Sequence, residues 1–213
     1  MNTTLTHDHA AEARERLVHR ARREGLATVG YGVLDSPVGP LWVAVGPRGV
    51  AAVTFDREPN ERDLRRIVSA YGPGVVPDRR RIGPVARELE RYFAGRLRAF
   101  ETPADLSGIT AFQRRVLTAL AKIRYGELTT YLALARRAGN EKASRAVGGA
   151  VGSNPIPIVL PCHRVIATDG SLAGYGGGLE AKRHLLALER GEVPAGGWPS
   201  RRGDARSASR MSG

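Results

Sequence analysis

The sequence predicts an α/β N-terminal domain, a small antiparallel sheet with helices, followed by a mostly α-helical, winged-helix-like C-terminal domain carrying a helix-turn-helix. Three observations predict it. Short β-prone runs separated by turn residues fill the first part of the chain. Two short helical patterns flank Gly139-Asn140. The only cysteine, Cys162, then follows the apolar run Ile156-Pro157-Ile158-Val159-Leu160.

Residues 10–24 mix Glu and Arg at helical spacing with few large apolar side chains, so they read as an exposed helix closed by Gly25. Residues 28–34, 41–45 and 50–55 are β-prone. Asp35-Ser36-Pro37 and Gly46-Pro47-Arg48-Gly49 break them into a three-stranded meander. Asn60 caps a helix to about Ala70, with Leu64, Ile67 and Val68 on one face. A further helix is expected from Pro84 to Phe93, and Thr102-Pro103-Ala104-Asp105 is the expected boundary. Thr110 and Gln113 form a capping box opening a helix through Ile123. Helices are then expected over 128–138, 142–151 and 181–189. The resulting division is a basic, partly helical extension (1–27), the α/β domain (28–103), a helical domain (104–191) and a disordered basic tail (192–213).

Composition limits the function. The 213 residues suffice for one large or two small cored domains. No stretch approaches the roughly 18–20 apolar residues of a membrane span, and the polar start is no secretory signal. One cysteine allows no internal disulfide and no multi-cysteine zinc site, so a reduced, cytoplasmic thiol is expected. The net charge is +12, and only three of the 33 basic residues are lysine. That balance suits a polyanionic partner, although arginine-rich codon usage and basic tails would produce it equally.

The chemistry centres on Pro161-Cys162-His163-Arg164-Val165. A thiolate is the nucleophile, and it needs a base or positive charge nearby to form. Adjacent side chains in an extended segment point to opposite faces, so Cys162 and His163 require a turn or a water to exchange a proton. Glu189, among Leu185, Leu186 and Leu188, is the candidate acid to orient the imidazole. The alternative is an inert buried cysteine.

In the helix pair, Tyr131, Leu132 and Ala135 are expected to face inward on the first helix, and Ala143, Ala146, Val147 and Ala150 on the second. The small residues would let the second helix approach a groove, with Arg145 projecting from its middle. An αα-hairpin packed by alanine and glycine remains open. Asn154-Pro155 marks a turn. Gly174-Tyr175-Gly176-Gly177-Gly178 matches neither the dinucleotide nor the P-loop fingerprint, so a flexible wall over a flat ring, or a plain linker, is expected. His7 and His9 lie in a polar terminus without further ligands and are expected to be solvated, and His19 and His184 have no assignable partner.

Together, Tyr131, Arg145-Ala146-Val147-Gly148-Gly149, Asn154-Pro155, Pro161 to Val165, Gly174-Tyr175 and Glu189 resemble the O6-alkylguanine-DNA alkyltransferases, also called methylated-DNA–protein-cysteine methyltransferases. Ser36-Pro37-Val38-Gly39-Pro40-Leu41 extends the resemblance into the first half. It implies direct-reversal repair: a methyl or small alkyl group passes once from O6-alkylguanine, and from O4-alkylthymine, to Cys162 after base flipping. Cys162, His163 and Glu189 would be catalytic, linked through water. Arg145, Tyr131, Ala143, Ala146 and Gly148 would bind DNA and flip the base. Tyr131, Val165, Tyr175, Gly176 and Gly177 would line the pocket, and Asn154 would be a structural hinge.

No cofactor and no metal are implied. The partner is double-stranded DNA containing the lesion, with no membrane, and the protein is expected to be a monomer. Many members carry serine where this chain has Gly176. The rival readings are a damage-binding protein without transfer, a repair protein that also activates transcription, and a thiol hydrolase. The presence of Cys162 opposes the first, the lack of further cysteines the second, and the arginine-bearing second helix the third.

Overall fold

The structure, a computed structural model, describes residues 3–193. The side chains of His7 and His9, and the tail beyond Val193 for which disorder was expected, lie outside the described residues. Helix α1 (Thr3–Arg23) leads into the sheet. Its end is tied down by Arg22, whose guanidinium donates to the Pro77 carbonyl at 2.5 Å and lies 3.7 Å from Asp78.

Strands β1 (Val29–Leu34), β2 (Leu41–Gly46) and β3 (Gly49–Thr54) form the expected antiparallel meander. The sheet as a whole is mixed rather than purely antiparallel. β4 (Val75–Pro77) adds beside β1 in parallel, giving the order β3-β2-β1-β4. Helix α2 (Glu61–Tyr71) is the crossover that permits a parallel pairing. Three residues ending in proline carry no alternation that would announce a strand, and proline is tolerated at such an edge.

Every residue of β2 is buried because both faces of the sheet are covered. Trp42 and Ala44 meet Ile67 of α2 on one side. Leu41, Val43 and Val45 join the main core on the other. Of the face expected on α2, Ile67 is fully buried whereas Leu64 and Val68 are each 38% exposed at its margin.

Helix α3 (Arg79–Phe93) starts five residues before the expected Pro84. The Asp78 carboxylate caps it by accepting from the Arg80 and Arg81 amides, each at 3.1 Å. Pro84 is tolerated because it and Arg80, whose carbonyl loses its helical donor, are both exposed. The expected boundary segment is bonded onto the sheet edge: Val50 donates to Pro103 and accepts from Asp105, both at 2.8 Å. One apolar core runs across it, from Val43 and Leu89 to Val116, Leu134 and Leu185.

Helix α4 (Ala111–Leu120) opens with the reciprocal Thr110–Gln113 capping box. Residues 128–138 divide into strand β5 (Thr129–Thr130) and helix α5 (Tyr131–Arg137), because Thr130 caps the helix by accepting from the Ala133 amide at 3.1 Å. Gly139 turns the chain at φ +85°. A 3-10 turn (Glu141–Ala143) then precedes α6 (Ser144–Gly152). Leu134 and Ala135 of α5 pack with Val147 and Ala150 of α6. Leu132 and Ala143 are only half-buried, and Ala146 is exposed, contrary to the inward face expected for them. The short helix presents fewer positions to the core than a full-length one. Strand β6 (Val165–Ile166) pairs parallel with β5, and α7 (Gly178–Glu189) closes the fold. No helix among the described residues is long and apolar enough to cross a membrane.

Candidate active site

The segment before the cysteine is held rigidly. The Asn154 side chain donates to the Leu160 carbonyl at 2.9 Å and accepts from the Ile156 amide at 3.0 Å. The Val53 amide of β3 donates to the Pro155 carbonyl at 2.9 Å, so the sheet also grips this segment. Between these ties Ile158 is buried at φ +73°, a strained conformation for a β-branched residue that persists only where its surroundings fix it. The chain then forms a 3-10 turn over Cys162–Arg164. In such a turn successive side chains are about 120° apart rather than 180°. The turn removes the opposite-face objection raised by an extended strand.

His163 is fully buried. Its Nε2 lies 2.8 Å from Glu189 Oε1. Glu189 also accepts from Arg164 Nη2 at Oε1 and Arg164 Nε at Oε2, both 2.8 Å, and from the Gly126 amide at 3.0 Å. A fifth donor is the Tyr92 hydroxyl, 2.7 Å from Oε1. Burial alone would raise the Glu189 pKa, but the hydrogen bonds of His163 and Arg164, with the Arg164 charge, outweigh it and hold the carboxyl far below the usual range.

An ionised Glu189 only accepts, which assigns the ring proton to Nε2 and leaves Nδ1 a bare acceptor. Nδ1 is buried and has no hydrogen-bond partner within the protein. Burial lowers the His163 pKa despite Glu189, so the ring is a neutral base. Burial also pushes the Cys162 thiol up to about 11, partly offset by the Asn154 amide. This cysteine does not ionise unaided near neutrality and needs that base.

The glycine-rich loop stands over the thiol. The Tyr175 ring packs on His163 with centroids 6.4 Å apart and on Phe55 at 5.4 Å. Its hydroxyl is buried, and burial followed by the charge of the Cys162 sulfur raises its pKa well above the usual range. Gly177 presses on the Phe55 ring, which a Cβ would meet at 2.9 Å, whereas a Cβ at Gly176 would meet nothing within 4 Å. Lys182, fully buried, donates to the Val165 carbonyl at 2.7 Å and to the Leu172 carbonyl, tying the thiol segment to this loop.

Tyr131 is half-buried, and burial followed by the Cys162 charge raises its pKa. A Cβ at Gly148 would contact its ring at 3.9 Å. Arg145 and Ala146 are exposed on α6, with Ala143 half-buried at its start. The structure thus gathers Cys162, His163, Glu189, Asn154, Tyr131, Val165 and Tyr175 around the thiol. Gly176 and Gly177 lie on the loop, and Arg145 and Ala146 face outward.

Four participants were missed by sequence reasoning: Tyr92, Arg164, Phe55 and Lys182. Tyr92 reads as one apolar position of α3 beside Phe93, and Phe55 as a strand end. Arg164, next to His163 in a segment expected to be buried, was the available signal for an ion pair. Among the described residues no group of three or more His, Cys, Asp or Glu is placed to hold a metal ion.

A thiol, imidazole and carboxylate buried together beside a pair of short helices define a protein built around one reactive cysteine. Residues 29–106 match the family described as "6-O-methylguanine DNA methyltransferase, ribonuclease-like domain", and residues 111–191 match its "DNA binding domain". A "Methylated-DNA--protein-cysteine methyltransferase" of Mycolicibacterium paratuberculosis is 44% identical over 168 residues, covering 78% of this chain and 94% of the relative. That of Haemophilus influenzae is 43% identical over 165 residues, covering 75% and 86%. The structure of Mycobacterium tuberculosis OGT in complex with DNA superposes with a TM-score of 0.67 at 40% identity, covering 78% of this chain and 96% of that one. The O6-methylguanine-DNA methyltransferase of Pyrococcus kodakaraensis gives 0.57 at 27% identity, covering 76% and 98%. The chain belongs to the 6-O-methylguanine DNA methyltransferase family.

Proposed function

We propose that Cys162 takes a methyl or small alkyl group from O6-alkylguanine, and from O4-alkylthymine, flipped out of double-stranded DNA. The activity of the family is direct-reversal DNA repair by alkyl transfer to a protein cysteine, and it is the activity of this chain. On this reading α6 enters the minor groove, Arg145 occupies the space left by the flipped base, and Ala143, Ala146 and Gly148 allow close approach. Tyr131 crowds the adjoining phosphate. The base lies against Tyr131, Val165, Tyr175, Gly176 and Gly177. The Val165 carbonyl, which already accepts from Lys182, keeps one lone pair for the guanine amino group.

The thiol proton passes through water to His163 Nδ1. The thiolate attacks the alkyl carbon, a C–S bond forms and the C–O bond to guanine breaks. The departing guanine takes a proton at N3 from Tyr131, which is restored from the imidazolium. Glu189 holds the charged ring, and Asn154 braces the segment. A thioether is not reversed by these groups, so each molecule acts once. Residues 28–103 and 104–191 serve as supporting and reacting domains of a cytoplasmic monomer.

The carrying observation is the unpartnered, buried Nδ1 of an imidazole whose other nitrogen is fixed on Glu189. The test is intact-protein mass spectrometry after mixing with duplex DNA containing O6-methylguanine. Gain of one methyl group, mapped to Cys162 and absent in Cys162→Ala, is expected. Tight binding with no mass gain would make the protein a damage sensor instead.

A further inference from the structure

We propose that Tyr92, on helix α3 of the N-terminal half, is a positioning residue of the transfer reaction: its hydroxyl shares the Glu189 oxygen that faces His163 and limits how strongly that carboxylate retains the imidazolium proton. The inference rests on the His163 relay described above.

Tyr92 is fully buried, and its ring packs on Phe93, Phe100 and Tyr125 with centroids 5.4, 5.6 and 6.0 Å away. Phenylalanine would fill that space equally well. The hydroxyl, however, reaches out of this aromatic cluster to Glu189 Oε1 at 2.7 Å and stands 3.4 Å from His163 Nε2. Burial and the adjacent Glu189 charge keep the phenol protonated, so it donates.

Three donors share Oε1: Tyr92, His163 and Arg164. Oε2 has Arg164 Nε and the Gly126 amide. Arg164 and Gly126 already keep the carboxylate ionised and anchored. What Tyr92 adds is competition on the same oxygen that receives the imidazole N–H.

The consequence has a definite sign. A carboxylate oxygen relieved of one neutral donor holds more charge toward His163 and stabilises the imidazolium more strongly. The ring then protonates at higher pH and is unavailable to take the thiol proton over a wider acidic range. The other groups bearing on His163 are Cys162 and Arg164 of its own turn, Lys182 and Glu189 of α7 and Tyr175 of the glycine loop; Tyr125, before β5, bears on Tyr92 and Glu189. Nε2 itself is met by Glu189 Oε1 at 2.8 Å and by the Tyr92 hydroxyl at 3.4 Å. The inference also gives the N-terminal half a part in the chemistry, although the thiol, base and acid all lie in the C-terminal half.

The experiment follows alkyl transfer from free O6-benzylguanine to the full-length protein between pH 5 and 9, using wild type, Tyr92→Phe, His163→Gln and a form with 3-fluorotyrosine at position 92. Free base removes DNA binding from the readout. Tyr92→Phe is expected to move the acidic limb of the rate profile up by about half a pH unit. Its rate at pH 7, on or above the plateau side of that limb, should fall by less than about twofold, and by about threefold on the limb itself. Fluorotyrosine, a stronger donor of the same shape, should move the limb the other way. It keeps the test open should the phenylalanine variant fold poorly.

Limbs that coincide in wild type, Tyr92→Phe and the fluorotyrosine form, with the limb lost in His163→Gln, would overturn the role of Tyr92 and leave the relay standing. A limb retained in His163→Gln would overturn the relay, and this inference with it.

Discussion

The thiol centre and helix α6, proposed above to enter DNA, are built on opposite principles. Around Cys162 and His163 most groups are buried and bonded, the His163 Nδ1 and the Tyr175 hydroxyl excepted, and Glu189 alone receives five donors. On α6, Arg145 and Ala146 are exposed, and a Cβ at Gly149 or Gly152 would meet nothing within 4 Å. Low dielectric strengthens each bond in the centre and makes each unpaired group costly. The helix surface makes no such demands; its interactions arise only when a partner arrives. Damage to the centre should therefore impair reaction with every substrate, whereas damage to the helix should impair only reaction in duplex DNA.

The largest expected effect is on Cys162→Ala, which should abolish transfer from both duplex DNA and free O6-benzylguanine in the mass assay. Glu189→Gln should follow, slowing transfer about 100-fold on both substrates. Removing the carboxylate leaves buried Arg164 without its counter-charge, at a cost of about 3–5 kcal/mol in urea unfolding. Because the folded pKa of Glu189 lies below its unfolded value, its stabilisation is complete above about pH 4.3 and is lost as pH falls. The stability difference between wild type and Glu189→Gln should accordingly shrink below that pH. A constant difference down to pH 2 would contradict the ionised, bonded carboxylate.

Arg145→Ala should separate the two regions. Transfer from duplex DNA is expected to slow roughly 10- to 100-fold, which corresponds to flipping made harder by about 1.4–2.7 kcal/mol. Transfer from free O6-benzylguanine should be unchanged. Equal losses on both substrates would erase the distinction.

Smaller effects probe the loop between the regions. Gly177→Ala should lower stability by about 1–2 kcal/mol through contact with Phe55, and the same change made in a Phe55→Ala background should cost much less. Gly176→Ser should change stability by less than about 0.5 kcal/mol, since its Cβ enters open space.

What could be read in the sequence follows from the range of each interaction. Caps and turns are local. Asn60 and the Thr110–Gln113 box act on amides three residues away, and Gly139 turns the chain where a left-handed conformation is needed. The Asp78 cap was overlooked because Pro84 looked like the natural helix start, and β4 because three residues carry no period. Cys162, His163 and Asn154 stood out because their residue types are unusual in an apolar setting. The extra donors on Glu189 did not: Arg164 lies 25 residues from Glu189, and Tyr92 lies 97 residues away.

The sequence by itself determined the meander, the helix pair, the single thiol and the base beside it, because these depend on neighbours a few residues apart. The tertiary structure decided the rest. It turned the Cys162–His163 pair into a 3-10 turn, fixed the imidazole proton on Nε2, left Nδ1 free, and brought Tyr92 and Phe55 from the sheet half into the centre. Those outcomes depend on buried charge and shape meeting across the whole chain, and no local pattern of residues records where such partners meet.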